Sequence, residues 1–495
     1  MMAPSTAVKP KRCVPARKNP SKKNKVDKTR PLKFSFLPTE MRAMVVENMS
    51  AVGGRRLLRD FSLTSRDGRD LARKELYRDI SILRVAELAC LTRSLIENPP
   101  LRKLIRSVHL HADRWNVVRH QSGRDWAPID ESRISQSDRQ LIILLRSLNS
   151  NKLADDVQYI CGLFLFLVNE TRHLTFDTGY YYWGLLDNFL AAGLALTSLP
   201  SPHPGTALLP AMKTLNISSK HYLRKTVQTI QGVPYHPFKT LTASPHLREF
   251  IFTGDMDKWS NLDDIDPSIR LPFTKVNLVA SSCTASTLSK FLRHCPDLQC
   301  LSVAPQSYTS DPDTNECLNT TLTNFCPQIR ELSLRNGGRS REFFRSSATH
   351  TITCLPEMAN LKELRLEVDA FFVDISDSST FRLPNKLPAQ LEKLFLDCSF
   401  ALTHFHTPYM RLVPSSPEAI AYKKAVHSMI RSICKAREDG FPRLNTIVIG
   451  SKWMSPVYST KVANKALSKT GARIKIMSST NTQRLWTCSW DVMKV

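Results

Sequence analysis

The sequence predicts an α/β chain, with a short three-helix unit near its start and a solenoid of irregular repeats along most of the remainder. Three observations carry this. A six-residue pattern, apolar-x-x-apolar-x-apolar, returns throughout the stretch from Ile105 to Ile449. Ahead of it, residues 36–80 hold three short apolar segments with helical spacing. Earlier still, residues 1–33 are basic, dotted with proline and almost devoid of large apolar side chains. The expected organisation is a disordered basic arm over 1–33, a helical module over 34–80 and the repeats over 81–490.

The arm carries eleven Lys/Arg against Asp27 alone, which places ten of the chain's +25 net charges there. With Pro4, Pro10, Pro15 and Pro20 spaced through it, such a segment cannot bury enough apolar surface to offset the ordering of its backbone. Two clusters, Lys9-Pro10-Lys11-Arg12 and Lys22-Lys23-Asn24-Lys25, suit nuclear import or non-specific polyanion binding, and equally a solvated tail. The whole chain of 495 residues is 42% hydrophobic and 23% charged, the composition of a globular protein with a sizeable core. Its longest apolar run, Tyr159 to Val168, has ten residues, far short of a membrane span. No apolar segment follows the early charges as a signal peptide requires. The twelve cysteines include no C-x-x-C pair and read as reduced thiols. Residence in the nucleus and/or cytoplasm is expected.

In the helical module, Leu37-Pro38-Thr39-Glu40 opens a helix. Proline tolerates a helix start because its missing N–H has no partner there, and a carboxylate favours the positive end of the helix dipole. Met41, Val45 and Met49 then recur every four residues beside Met44, which makes one face apolar. Gly53-Gly54 is expected to break the helix. Leu57, Leu58, Phe61 and Leu63 form a second apolar segment, and Leu71, Ala72 and Leu76 a third. A module this small buries little by itself and suits docking to another protein.

These residues resemble an F-box, the motif by which substrate receptors attach to the Skp-type adaptor of a cullin-based (SCF) ubiquitin ligase. The likeness runs through Leu37-Pro38-x-Glu40, Val45 and Met49, the Leu57-Leu58 pair, Phe61-Ser62-Leu63-Thr64-Ser65-Arg66 and Leu71-Ala72. It departs at Ala51 to Arg56, a longer glycine-containing link, and at Leu76-Tyr77, where the family commonly has a tryptophan nearby. The resemblance implies that Leu37, Pro38, Met41, Val45, Met49, Leu57 and Leu58 contact the adaptor.

Beyond the module, Val85 to Glu97 reads as a helix with Leu88, Leu91 and Leu95 on one face, stopped by Asn98-Pro99-Pro100. The six-residue pattern then appears at Ile105, Met212, Leu247, Phe273, Leu298, Ile329, Leu361, Leu391 and Leu444, with a degraded copy at Thr171. From Leu247 the starts lie 26, 25, 31, 32, 30 and 53 residues apart. A short strand followed by a returning segment at this period is the pattern of leucine-rich repeats, which bury their apolar side only by stacking. Within each strand the last two apolar positions face the core and the residue between them faces out. Thr284–Arg293 and 316–325 are expected to supply returning helices, and Ser416–Arg437 a helix inside the long last interval. The repeats vary in length and mostly lack the usual asparagine. The whole chain is thus similar to fungal F-box proteins with degenerate leucine-rich repeats, with about nine or ten repeats expected.

Little in the sequence points to bond chemistry. P-loop, G-x-G-x-x-G, G-x-S-x-G and H-E-x-x-H patterns are all missing, and the chain has 16 glycines in 495 residues, few for phosphate-cradling loops. His404-Phe405-His406 with Cys398 reads as the only metal-like cluster, yet spacing dictates no third ligand, so no metal or cofactor is expected. Cys295 and Cys326, at equivalent repeat positions, read as buried fillers. Arg335, Arg339, Arg341 and Arg345 concentrate four guanidinium groups in one post-strand loop, which suits an acidic or phosphorylated target or simply a solvated loop. Asp255, Asp257, Asp263, Asp264 and Asp266 follow another strand and receive no role, while Tyr180-Tyr181-Tyr182-Trp183 reads as core packing.

The resemblance therefore implies a non-enzymatic substrate-recognition subunit of an SCF-type ligase, with adaptor and cullin on one side and an unidentified target protein on the other. The alternative is a nuclear scaffold or chromatin-associated binder that uses the basic arm on nucleic acid, its F-box-like helices being only structural. An enzyme with an unrecognised motif is the remaining possibility.

Overall fold

The structure, a computed structural model, describes residues 37–112, 115, 139, 155–178, 209–219, 244–254, 256, 267–281, 283–305, 318–334, 352–367, 387–397, 441–451 and 473–478. The chain divides into two compact units, Met1–Leu76 and Tyr77–Val495. The first is helical where described; the second is mixed α/β around a parallel sheet.

In the first unit, helix α1 spans Thr39–Ser62 and α2 spans Arg66–Arg78, running two residues into the second unit. Pro38 caps α1 in an extended conformation (φ −52°, ψ 151°), and its carbonyl accepts the Arg42 N–H at 3.0 Å. Gly54, at φ 61° and ψ −162°, kinks α1 into two helical runs. An L side chain is strained in that backbone region even though open space surrounds the position. The expected break is therefore a kink at one glycine. Ser65 caps α2 by accepting the Gly68 N–H on its hydroxyl at 2.9 Å. A Cβ at Gly68 would lie 3.0 Å from both the Phe61 carbonyl oxygen and the Ser65 hydroxyl, a tight approach that a larger residue meets only where those neighbours give way. Arg42 bridges α1 and α2 through Asp67 at 3.3 Å.

The second unit is built on twelve parallel strands whose spatial order is their chain order. They are β1 (Asp79–Ile82), β2 (Ser107–His111), β3 (His173–Thr178), β4 (Thr214–Ser219), β5 (Glu249–Thr253) and β6 (Lys275–Ser281). After these come β7 (Cys300–Pro305), β8 (Glu331–Leu334), β9 (Glu363–Glu367), β10 (Lys393–Asp397), β11 (Thr446–Ser451) and β12 (Arg473–Ser478). Every copy of the six-residue pattern becomes a strand. Two strands were not anticipated: β1 at Tyr77-x-x-Ile80-x-Ile82, and β12 at Gly471-x-x-Ile474-x-Ile476, where the first position is glycine. The strand Asp79–Ile82 also moves the start of the sheet ahead of the expected boundary at residue 81.

Register aligns the pattern across the sheet. One row runs Ile80, Val108, Leu174, Leu215, Phe250, Val276, Leu301, Leu332, Leu364, Leu394 and Ile447, and all of these are buried. Parallel neighbours need a returning segment, supplied among the described residues by α3 (Val85–Glu97), α4 (Asp155–Leu167), α5 (Ala285–Leu292) and α6 (Leu318–Phe325). The Glu87 carboxylate closes the start of α3 by accepting the Leu83 and Arg84 N–H groups at 2.9 and 3.2 Å. Thr284 caps α5 through the Thr287 N–H at 3.1 Å. Helix α4 holds all but the last residue of the ten-residue apolar run; from Ile160 to Val168 only Phe166 is not buried, as suits a helix surrounded by core. Among the described residues, no helix is long and apolar enough to cross a membrane. In the middle of the core, Phe250 stacks on Phe273 with ring centroids 5.1 Å apart, and Phe291 leans on both.

Side-chain amides tie successive repeats together. Gln328 donates to the Pro296 carbonyl, Asn360 to that of Pro327 at 3.2 Å, and Gln390 to that of Met358 at 2.7 Å. Each amide reaches one repeat back to a backbone carbonyl.

Candidate functional site

Each unit offers its own surface. In the helical unit, Met41, Met44 and Val45 lie at three- and four-residue steps on α1 and are 51%, 60% and 38% exposed. Val46, one residue further round the helix, is buried. Pro38 is exposed, and Leu37 and Met49 are half-buried. The leucine pair splits: Leu57 is exposed whereas Leu58 is fully buried. Leu58 therefore packs the interior instead of offering a docking surface, a correction to its expected role. Leu63, at the end of this unit's first helix, is 74% exposed. Beside the kink, Arg55, Arg56, Arg59 and Leu76 line an open depression.

In the sheet unit, adjacent strands bring together groups far apart in sequence. His109 and His111 alternate on β2, so both rings leave the same face as Ser81 of β1 and Asp177 of β3. Asp177 is the register partner of His111, and Ser81 that of His109. The Asp177 Oδ2 atom lies 2.9 Å from His109 Nε2 and 3.0 Å from His111 Nδ1. The other nitrogen of His111, Nε2, is 3.0 Å from the Ser81 hydroxyl. The two imidazole centroids are 3.6 Å apart. Asp177 is buried at 5% exposure, whereas His109 keeps access to solvent. The three donor atoms lie within 4.8 Å of one another, the one such His/Cys/Asp/Glu group among the described residues.

The sequence held the signals for this cluster. His109-Leu-His111 has the same alternation as His404-Phe-His406. Superposing Val108-His-Leu110-His111 on Leu174-Thr-Phe176-Asp177, as the repeat pattern demands, sets Asp177 beside His111. His404, His406 and Cys398 lie outside the described residues.

Two further rows order the charge on the sheet unit. Just ahead of the strands, the N–H of one residue bonds to the carbonyl of its counterpart in the preceding repeat, through Arg78, Arg106, Arg172, Lys213 and Arg248 at 2.7–2.9 Å. Five successive repeats thus place a cationic residue in one column, about 4.8 Å apart. Glu170 engages Arg106 at 3.1 Å. In the adjoining row, a polar chain passes from His173 to Thr214 to Glu249 and ends at Lys275, 2.7 Å from the Glu249 carboxylate. Farther along, Lys393 pairs with Glu363, whose carboxyl is nevertheless raised above its ordinary range by burial, against the lowering effect of Lys393.

Cys295 and Cys326 are fully buried. Burial and the neighbouring Cys326 sulfur push the Cys295 thiol well up, and burial followed by Cys354 pushes Cys326 to about 12. Burial likewise takes Cys161 to about 12. Cys300 also rises to about 12, from burial and then the Glu331 carboxylate. These are packing thiols, not nucleophiles.

Several expected sites lie outside the described residues: the whole basic arm with Lys9, Lys11, Arg12, Lys22, Lys23 and Lys25, the loop with Arg335, Arg339, Arg341 and Arg345, the aspartates from Asp255 to Asp266, the aromatic run Tyr180–Trp183 and the helix Ser416–Arg437. Comparison of the chain with protein-family models and with curated proteins finds no match.

Proposed function

We propose that the chain is the substrate-recognition subunit of an SCF-type cullin ubiquitin ligase, with no bond chemistry of its own. In this reading the helical unit is an F-box that docks a Skp-type adaptor, and the strand array is a set of irregular leucine-rich repeats that hold a target protein. The observation that carries the reading is the exposed apolar face of α1, Met41, Met44 and Val45, beside the proline-capped start and exposed Leu57. Four large apolar side chains turned outward on so small a unit suit a partner with an apolar groove. Function would then be proximity: holding a target near the loaded ubiquitin enzyme raises the effective concentration of its lysines.

The test is co-purification of the tagged chain with Skp-type adaptor and cullin, beside a Pro38→Ala/Val45→Asp double variant. Both positions are exposed, so the variant keeps its fold. Adaptor and cullin held by the parent chain and lost from the variant support the proposal; a folded parent chain that recovers neither refutes it.

The cationic column Arg78, Arg106, Arg172, Lys213 and Arg248 favours a second reading, a nuclear scaffold that binds nucleic acid through the sheet unit and the basic arm. The same preparation separates the two. Under the scaffold reading, nucleic acid co-purifies, its binding falls steeply with salt, and deleting residues 1–33 flattens that dependence.

A further inference from the structure

We propose that His109, His111 and Asp177 form a binding site for one divalent ion of the zinc class, independent of whether the helical unit docks an adaptor. The argument starts from convergence. Two imidazole nitrogens from one strand and a carboxylate oxygen from the next aim at a single region, and both nitrogens approach the same atom, Asp177 Oδ2, at 2.9 and 3.0 Å. Two ring nitrogens converging on one carboxylate oxygen mark a place that one cation can fill. Zinc bound at about 2.0–2.1 Å to nitrogen and oxygen in a tetrahedron sets its donors about 3.3 Å apart. The two nitrogen–oxygen separations are within a few tenths of an ångström of that spacing, and all three donors already lie inside 4.8 Å.

The surroundings suit an ion as well. Asp177 is almost wholly buried, and a buried carboxylate costs free energy unless a positive partner or several hydrogen bonds accompany it. The ring centroids lie 3.6 Å apart with the planes tilted by 33°, which brings two nitrogen donors to one place, and a histidine ligates through a nitrogen that carries no proton. With an ion bound, the Ser81 hydroxyl, 3.0 Å from His111 Nε2, accepts the N–H there while the Nδ1 lone pair goes to the ion, the outer-sphere support common to metal-bound histidine. His109 carries its proton on Nδ1 in the bound state and ligates through Nε2. No electron is transferred, and each ring retains one proton. Its partial exposure gives the ion an entry path and leaves the fourth position to water. Two nitrogen donors and one oxygen select zinc or a neighbouring transition ion over calcium or magnesium.

The experiment uses the full chain, stripped with a chelator, reloaded with Zn²⁺ and dialysed, with metal content measured and Co²⁺ used as a visible-absorption probe. The expected result is one zinc per chain and an intense four-coordinate Co²⁺ spectrum that excess Mg²⁺ or Ca²⁺ leaves unchanged. Asp177→Asn, which keeps a hydrogen-bond acceptor but no charge, and His109→Gln, at the half-exposed rim, both lose the zinc and the spectrum with unchanged circular dichroism. Ser81→Ala weakens binding about tenfold. A His404→Gln/His406→Gln control behaves as the parent chain. A parent chain without zinc or spectrum overturns the proposal. So does a spectrum that survives in both Asp177→Asn and His109→Gln, or one that disappears with His404 and His406.

Discussion

The two units handle apolar side chains in opposite ways. In the helical unit, Val46, Leu58 and Ala72 are buried while Met41, Met44, Val45, Leu57 and Leu63 face outward. In the sheet unit, whole rows of leucine, isoleucine, valine and phenylalanine are enclosed, and Leu83 is the one large apolar residue exposed among those described. Similar residue types therefore mean different things in the two places. In the sheet unit each apolar side chain is covered by the next repeat, so stability is supplied from within. In the helical unit too few neighbours exist to cover the surface, and the remainder is available to a partner.

Adjacent valines break the comparison most sharply. Val46→Asp places a carboxylate in a buried position without a partner and is expected to open the helical unit, read as protease cleavage around residues 45–60. Val45→Asp, on the exposed side, is expected to leave the cleavage pattern unchanged and to remove only adaptor capture. Equal cleavage of the two would show that the outward face is packed after all.

The next effect contrasts the units directly. Phe250→Ala removes a ring that stacks on Phe273 and touches Phe291, and is expected to cost about 3–5 kcal/mol in urea unfolding. Met44→Ser, at a site 60% exposed, is expected to change stability by less than about 0.5 kcal/mol. Comparable losses would erase the distinction between covered and uncovered apolar residues.

A smaller effect belongs to the sheet unit's thiols. Cys161 and Cys326 hold their protons to about 12, and Cys295 is also raised, whereas unfolded thiols ionise near 8.5. A raised native value means that the contribution is fully present below the unfolded value and is lost as pH climbs toward the native one. The urea midpoint is therefore expected to fall between about pH 8 and about pH 10, and a Cys295→Ala/Cys326→Ala variant to lose part of that decline. Cys90, exposed on α3, is expected to react with thiol reagents in the native protein, ahead of the buried cysteines.

Much of the sheet unit was legible because its pattern is local: Leu361-Lys-Glu-Leu364-Arg-Leu366 states a strand and its buried face in six residues. Strand β12 is hard to read because glycine stands at the first position, and β1 because its Tyr77 directly follows the helical segment Leu71 to Leu76. The His/Asp cluster was harder to read. His111 and Asp177 are 66 residues apart, and only superposition of the repeats with one another makes them neighbours. In the helical unit, periodicity gave the apolar face of α1, but it did not separate Leu57 from Leu58, since which of two adjacent leucines turns inward depends on the Gly54 kink.

The identity of chain order and spatial order has a consequence for biosynthesis. When a strand of the sheet leaves the ribosome, the edge it pairs with already exists: β2 meets β1, β3 meets β2, and so on to β12. After β1, every strand finds an earlier partner, so the array can grow from its first repeat as the chain emerges, each completed strand serving as template for its successor.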